Sequence, residues 1–218
     1  MKISKETLAL LKNFATINSN LLIKPGSTLN TISVAKSVYA STEVKETFEQ
    51  QFGIYDLNEF LGALALFEDP DVTFGEKYAT ISQGRSSVRY FGADESVLTA
   101  PNRAIKIPPA DIEFELSADQ INMINKTAGV LRASDVTIAA NGTDLHIIVG
   151  DKKNPTGNNY EMVIGDSDET FRAHIRVDNM KMLPGNYTVQ LAAKKIASFT
   201  NGDLQYVLTL EQDSVFED

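Results

Sequence analysis

Apolar residues recur at helical spacing at the beginning of the chain, and the pattern then changes to short runs rich in β-branched residues. A first helix is predicted after Ser4, a favourable N-cap, with Leu8 and Leu11 on its apolar face. A second helix is predicted after Asp56, which precedes Glu59 at capping-box spacing. Strands are predicted at residues 20–24, 28–35, 38–44, a stretch ending near 54, 72–74, 78–82 and 87–91.

The periodic pattern lapses between residues 92 and 111, where Pro101, Pro108 and Pro109 stand among scattered apolar residues. We interpret this segment as an extended connector between two domains. The predicted N-terminal domain comprises residues 1–107, with the connector at about 92–110, and the C-terminal domain comprises residues 108–218.

The second half repeats the order of elements. Ser117 and Gln120 form a capping box ahead of a third amphipathic helix. The Asn-Gly dipeptide at Asn141 predicts a type I′ hairpin turn, and Asp178 predicts the start of a fourth helix at 179–183. Further strands are predicted at 113–116, 135–140, 143–149, 159–164, 171–177, 187–192, 195–200 and 204–211. The repeated order of helices and strands indicates an internal duplication.

Five segments resemble a known family, and they do so in the same order along the chain. They are LLKNFATINS (10–19), IYDLNEFLG (54–62), APN (100–102), NMKMLPGNY (179–187) and YVLTLEQDS (206–214). They are similar, in turn, to the first helix, the second helix, the connector, the fourth helix with its following strand, and the last strand of the T4-type bacteriophage sliding clamps.

This resemblance implies an α+β DNA clamp fold, with two similar domains that each pack two helices on antiparallel sheets. It implies a homotrimeric ring that encircles duplex DNA without sequence preference and tethers the phage replicative DNA polymerase. It also implies loading by a clamp-loader ATPase, support of late transcription through further factors, and a location in the cytoplasm of the infected bacterial host. The family has no catalytic activity of its own and needs no cofactor.

Composition agrees with this expectation and argues against several other classes. The formal charge is −9, from 29 acidic and 20 basic side chains, which disfavours a protein that grips nucleic acid through a broad basic surface. A ring holds DNA by topology and needs only a sparse basic lining. Cysteine is absent, which excludes thiol catalysis and disulfides. The sequence contains no glycine-rich phosphate loop, no metal site is predicted, and no apolar run reaches the roughly 20 residues that span a membrane.

The candidate DNA-facing residues are basic side chains on predicted helices. Lys5 and Lys12 share the polar stripe of the first helix, Lys126 and Arg132 belong to the third, and Lys181 belongs to the fourth. The alternative for each is an ordinary solvated helix face, and the sequence leaves that alternative open.

Two further surfaces are predicted from apolar residues. The connector residues Val97, Leu98, Ile105 and Ile107 form one wall of a partner-peptide pocket or, alternatively, pack the connector against its own domain. The resemblance makes residues 87–91 and 159–164 the two sheet edges that join neighbouring subunits. The predicted subunit-interface residues there are Val88, Phe91, Met162 and Ile164.

A non-enzymatic, β-rich structural protein of the virion is the competing class. Such a protein shares the acidic charge, the short strands and the absence of catalytic motifs. It does not require the duplicated element order or a helical stripe that carries lysines.

Overall fold

The computed structural model describes residues 1–103, 105–154 and 156–216 of the chain. The fold divides into two compact units, Met1–Ile105 (unit 1) and Lys106–Asp218 (unit 2). The division falls inside the proline-containing segment, close to the boundary predicted at residues 107 and 108.

Unit 1 contains two α-helices and three antiparallel groups of strands. Strand β1 pairs with β4, β2 pairs with β3, and β5, β6 and β7 form a three-stranded sheet in that order. In chain order the elements are α1 (Lys5–Ile17), β1 (Leu21–Ile23), β2 (Gly26–Ile32), β3 (Val38–Phe48), β4 (Phe52–Ile54), α2 (Leu57–Leu64), β5 (Asp71–Phe74), β6 (Tyr78–Gln83), β7 (Ser86–Phe91) and a 3-10 helix (Glu95–Val97).

The core of unit 1 forms where α1 and α2 pack together above the strands. Leu11 and Phe14 of α1 and Phe60 of α2 are almost completely buried. The ring of Phe60 meets the ring of Tyr90 edge-on, with their centroids 5.2 Å apart. This aromatic contact fixes β7 beneath α2, so the position of one free sheet edge depends on the core.

Unit 2 contains one α-helix and two antiparallel sheets. One sheet has the order β11-β10-β9-β12-β16, and the strands of the other follow the order β8-β13-β14-β15. The elements are β8 (Ile112–Leu116), α3 (Ala118–Leu131), β9 (Asp135–Asn141), β10 (Asp144–Gly150), β11 (Tyr160–Asp166), β12 (Thr170–Arg176), a 3-10 helix (Val177–Asn179), β13 (Tyr187–Ala192), β14 (Ile196–Asn201), β15 (Leu204–Thr209) and β16 (Val215–Phe216). Helix α3 buries Ile121, Ile124 and Ala128 and packs against β10.

The predicted N-caps of the first three helices are confirmed. The Ser4 hydroxyl accepts a hydrogen bond from a first-turn backbone N–H of α1, and the Asp56 carboxylate accepts two at α2. Ser117 and Gln120 form the complete capping box, with both reciprocal hydrogen bonds present. These interactions are local in sequence, which explains why the motif alone predicts them.

The predicted fourth helix at 179–183 is wrong. A single 3-10 turn, Val177–Asn179, stands at its beginning, and unit 2 therefore has one α-helix among its described residues instead of two. The chain that follows is neither helix nor strand: Met180 has φ of −77° and ψ of +56°, and the Lys181 N–H donates to the Asn179 carbonyl at 2.8 Å. Met180 and Met182 are both buried, while Lys181 between them is partly exposed.

Two tyrosines hold this segment out of a helix. The Leu183 N–H donates to the Tyr206 hydroxyl oxygen at 3.2 Å, and the Leu183 carbonyl accepts from the Tyr187 hydroxyl at 2.5 Å. Burial raises the pKa of Tyr206 to about 12, and it also raises the pKa of Tyr187. Because neutral hydroxyls satisfy both backbone groups of Leu183, this residue needs no helical hydrogen bonds.

The predicted turn at Asn141 is displaced by one residue. Strand β9 continues through Asn141 and β10 begins at Asp144, so the central residues are Gly142 and Thr143. Only Gly142 has a positive φ, +83°, whereas a type I′ turn needs two. The Asn141 side-chain oxygen accepts hydrogen bonds from the Thr143 and Asp144 N–H groups, at 3.1 and 2.9 Å, and so caps the turn from its first position.

A buried carboxylate anchors the beginning of α1 to β3. Glu46 is 7% exposed, and its two oxygens accept hydrogen bonds from the Ser4 N–H at 2.5 Å and the Thr7 hydroxyl at 2.6 Å. Burial opposes ionisation of Glu46, but these hydrogen bonds outweigh it and hold the pKa of Glu46 below its ordinary value. The charged carboxylate therefore stabilises the folded protein.

We expect Glu46→Gln to lower the free energy of unfolding by about 1 to 3 kcal/mol at pH 7, because the amide nitrogen that replaces one carboxylate oxygen cannot accept a hydrogen bond and leaves one of the two donors without its acceptor. A folded pKa below the unfolded one gives stability that is present above the unfolded pKa and is lost as the pH falls through the folded pKa. The difference in the free energy of unfolding between the variant and the parent should therefore become smaller as the pH falls. Urea unfolding followed by circular dichroism at fixed protein concentration measures it. Glu49→Gln, at an exposed glutamate beyond the same strand, is the control and should leave the midpoint unchanged.

Candidate functional site

The exposed side of α1 carries two lysines in line. Lys5 and Lys12 are exposed, together with Ala9 and Thr16, while the opposite side of the helix is buried. Residues seven positions apart on an α-helix differ by only about 20° in direction. Neither lysine forms an ion pair with any residue that the structure describes. The stripe can therefore offer two positive charges to an anionic polymer.

The remaining basic candidates have less uniform surroundings. Lys126 is exposed on α3, between the exposed apolar side chains of Met123 and Val130. Arg132 is the C-cap of α3, in the left-handed conformation with φ of +52°, and is exposed. Lys181 lies in the irregular segment after the 3-10 helix, so its predicted placement on a fourth helix is wrong.

The beginning of the connector is fixed to unit 1. Val97 ends the 3-10 helix and is 58% exposed, whereas Leu98 is partly buried against the backbone of Gly53. Ile105 and Ile107 are partly exposed. Leu98 thus packs against its own unit, as the alternative interpretation of the connector expects, while Val97 presents an apolar side chain to solvent.

Two asparagines that the sequence did not single out hold this connector in place. The Asn18 side chain donates to the Thr99 carbonyl at 2.8 Å, and the Thr99 N–H donates to the Asn20 side chain at 2.9 Å. Asn18 is also the C-cap of α1, so the end of the lysine-bearing helix and the start of the connector share one hydrogen-bonded group. The only signal in the sequence was a pair of asparagines at a helix end, which usually indicates a cap.

The two predicted subunit edges are terminal strands of their sheets. Strand β7 ends the β5-β6-β7 sheet, and β11 ends the β11-β10-β9-β12-β16 sheet. Val88 is partly buried and Phe91 is 68% exposed on β7. Met162 and Ile164 are partly buried on β11, and Ile164 lies where the pairing register with β10 shifts. Each unit therefore carries a free edge with apolar side chains.

A polar cleft of about 340 Å³ lies on the same sheet of unit 2 as β11. On its floor, Thr137 and the His174 Nδ1 are 2.8 Å apart, and Lys152 and Asp213 approach to 2.5 Å on its wall. Burial, reinforced by the positive charge of Lys152, lowers the pKa of His174. His146 instead lies 2.9 Å from Glu161, at the edge of the sheet. Among the described residues no three acidic, histidine or cysteine side chains come close enough to hold a metal ion.

No helix in the described part of the chain is long and apolar enough to cross a membrane.

Two family models match the chain, one in each unit. The model described as "DNA polymerase processivity factor" matches residues 4–100, and the model described as "gp45 sliding clamp, C terminal" matches residues 113–212. The sliding clamp of Enterobacteria phage T4 is 35% identical over 227 residues, and that of Escherichia phage RB69 is 32% identical over 229. Both alignments cover 100% of this chain and 100% of the relative.

Solved structures show the same fold at much lower sequence identity. A proliferating cell nuclear antigen from Entamoeba histolytica has a TM-score of 0.67 at 14% identity, with 94% of each chain covered. A sliding clamp from Pseudomonas aeruginosa, solved with griselimycin, has a TM-score of 0.70 at 12% identity. This alignment covers 100% of the present chain and 66% of that chain.

Fold and comparisons together define a DNA clamp, an α+β protein of two units built on antiparallel sheets. Within that class, the chain belongs to the T4-type phage family of sliding clamps, the DNA polymerase processivity factors. The predicted family and fold class are thereby confirmed. The family assignment decides against the alternative of a structural virion protein.

Proposed function

We propose that three copies of this chain close into a ring through their free sheet edges, and that the ring encircles duplex DNA and tethers the replicative DNA polymerase. The observation that carries the proposal is the pair of terminal strands, β7 in unit 1 and β11 in unit 2. Two different edges on one chain give a head-to-tail contact, and such contacts either close into a ring or continue as a filament. Unit 1 with the connector, and unit 2, are the two clamp domains of this proposal.

Duplex DNA is held inside the proposed ring by topology, with weak help from basic side chains. Lys5 and Lys12 are the main lining residues, and Lys126, Arg132 and Lys181 add to them. Sparse contacts to phosphates carry no sequence information, so the clamp stays free to slide. The net charge of −9 favours a protein whose outside does not bind DNA.

The proposed partners follow from the same role. The replicative polymerase binds through a terminal peptide, an ATP-dependent clamp loader opens and closes the ring, and late-transcription factors use the loaded clamp. The clamp itself acts without catalysis or cofactor, in the cytoplasm of the infected bacterial host. The exposed Val97, next to the anchored Leu98, supports the connector as a peptide-binding surface.

Solution mass and topological retention test the proposal together. Sedimentation across a concentration series should show a trimer, and electron microscopy in negative stain should show rings. Protein that a clamp loader has placed on a primed circle should remain on the DNA until the circle is cut, because only a closed path holds a ring. A protein that is monomeric at all concentrations, or that is retained equally on linear DNA, would contradict the ring.

We expect Val97→Glu combined with Ile105→Glu to abolish binding of the polymerase tail, because two charges replace apolar area that the connector leaves at least partly exposed. The trimer mass should persist. Fluorescence anisotropy with a labelled tail peptide measures the binding. Val34→Glu, at a 75% exposed valine in the turn between β2 and β3, is the matched control and should bind the tail normally. Undiminished tail binding and processive synthesis in the double variant would place the peptide site elsewhere.

A further inference from the structure

The free edge of β7 presents a defined set of backbone groups. The Gly92 N–H donates to the Lys77 carbonyl at 2.9 Å, on the side of β6. Successive residues of a strand direct their backbone groups to opposite sides, so Tyr90 and Val88 also face β6. The residues of β7 whose backbone groups remain for another strand are Ser87, Arg89 and Phe91.

The same reasoning applies to β11. The Ser167 N–H donates to the Thr143 carbonyl at 3.0 Å, so the backbone groups of Thr143 face β11. Every second residue along β10 directs its backbone groups to the same side, and Ile147 is one of these residues. Ile147 is opposite Met162, whose backbone groups therefore face back toward β10. Before the register shift, the residues of β11 whose backbone groups point to the free edge are Glu161 and Val163, and beyond the shift the backbone groups of Asp166 do so too.

The β7 edge displays one charged side chain, Arg89, whereas the β11 edge displays two acidic ones, Glu161 in the regular part of the strand and Asp166 at its end. Arg89 is exposed, and its guanidinium carbon lies 5.1 Å from the centre of the Tyr78 ring. The Glu161 side chain is 51% exposed, and one carboxylate oxygen lies 2.9 Å from the His146 Nδ1. Each side chain therefore lies close to a neighbour on its own sheet before any partner arrives.

We propose that β7 of one copy pairs antiparallel with β11 of the next copy in the register that sets Arg89 directly opposite Glu161. This inference rests on the trimer proposed above and adds the register and the charge pair that selects it. A second copy is the partner because the two complementary edges belong to the same chain. Antiparallel pairing is the rule for the strand ladders in both units.

The alternation of backbone groups leaves few registers to consider. Along residues 160–163, sliding β7 by one residue would set inward-facing backbone groups of one strand against outward-facing groups of the other, so only shifts by two remain there. Beyond the register shift, Arg89 could instead lie opposite Asp166, but Val88 would then face Ser167 and Tyr90 would face Gly165, which provides no apolar pairs on the other face. A shift by two in one direction places Phe91 opposite Glu161 and Arg89 opposite Val163, which leaves each charge facing an apolar side chain. The opposite shift places Ser87 opposite Glu161 and Arg89 opposite Asn159, which separates the charges.

The favoured register also pairs suitable side chains on the opposite face of the joined strands. It places Val88 opposite Met162 and Tyr90 opposite Tyr160, so apolar and aromatic side chains meet across the boundary. Directly opposite pairs of this kind are the unit of sheet stabilisation. The apolar pairs supply affinity in this arrangement, and the ion pair selects the register.

Charge reversal with rescue tests the inference. Arg89→Glu and Glu161→Arg alone should each raise the protein concentration at half-assembly by about tenfold or more, because like charges then stand opposite each other. The double variant restores opposite charges and should return to within about threefold of the parent. Arg85→Glu, in the turn next to β7, makes the same charge change outside the ladder and should behave like the parent. Sedimentation equilibrium measures the four variants and the parent, and circular dichroism checks that each is folded.

The outcomes separate the register from the ring. The register would be overturned if both single variants assembled at the same protein concentration as the parent. It would also be overturned if the double variant needed as high a concentration for half-assembly as either single variant. If Val88→Asp dissociates the trimer while Arg89→Glu does not, the edges are correct and the register is wrong. A parent protein that forms no trimer at any concentration would overturn both the register and the proposed ring.

Discussion

Val88→Asp is expected to convert the proposed trimer into monomers at concentrations where the parent is fully assembled. Val88 lies on the terminal strand β7, partly buried on the side of the sheet that carries the buried Tyr90. A carboxylate here would be covered by the neighbouring subunit with no cation opposite it, and such burial costs several kcal/mol. The change occurs at all three interfaces of a closed ring, so even a modest penalty at each one opens it.

Sedimentation velocity over a concentration series measures this effect, with circular dichroism to show that the variant is folded. The control is Val34→Asp, the same substitution at a 75% exposed valine in a turn, and it should leave the mass unchanged. A folded Val88→Asp protein with the parent's trimer mass would remove β7 from the interface.

The second large effect is expected from Lys5→Ala combined with Lys12→Ala. The double substitution removes six positive charges from a ring of three subunits, all from the exposed stripe of α1. The logarithm of a DNA-binding constant falls with the logarithm of salt by about 0.9 for each phosphate that a protein neutralises. The variant should therefore show weaker loading and a shallower salt dependence, by up to about five units of slope if all six lysines contact phosphates.

Loader-dependent retention on primed circles across a salt series measures this change. Fold and trimer mass should stay the same, and no sequence preference should appear in either protein. Lys153→Ala with Lys194→Ala removes the same number of charges from exposed turns of unit 2 and serves as the control. Retention equal to the parent at every salt concentration would show that the α1 stripe faces bulk solvent.

Predictions made from local sequence signals agree with the structure, and the reason is the range of the forces involved. The caps at Ser4, Asp56 and Ser117 depend on hydrogen bonds within one helical turn. Most strands were predicted within a few residues of their ends, because alternation and β-branched residues record local burial. The strand β16 and the 3-10 helix Glu95–Val97 were not predicted, since two or three residues carry no period.

The failures have two causes: a distant residue overrides local preference in one case, and a side-chain cap moves a turn in the other. Residues 179–183 follow a helix-capping aspartate, yet the Tyr206 hydroxyl, 23 positions beyond Leu183, takes a backbone group that a helix would use. The turn after Asn141 is shifted by one residue because the asparagine side chain caps it from its first position. Lys181 lies in the same irregular segment, so its predicted place on a helix is wrong for the same reason.

Local patterns in the sequence were enough to predict the starts of α1, α2 and α3, most strands and the connector region, and five collinear segments indicated the family. The resemblance to that family implied that 87–91 and 159–164 are sheet edges, but the folded chain was needed to show that β7 and β11 end their sheets, since a strand is terminal by virtue of the other strands beside it and not by its own residues. It also decided that Leu98 packs against Gly53 and that Thr99 is held by Asn18 and Asn20, since these contacts join residues far apart in the chain. Arg89 and Glu161 became candidates for one contact only once strand pairing showed which backbone groups face each free edge. The periodicity of a sequence reflects which side of a helix or strand is buried, whereas contacts between residues far apart in the chain are fixed only when the chain folds.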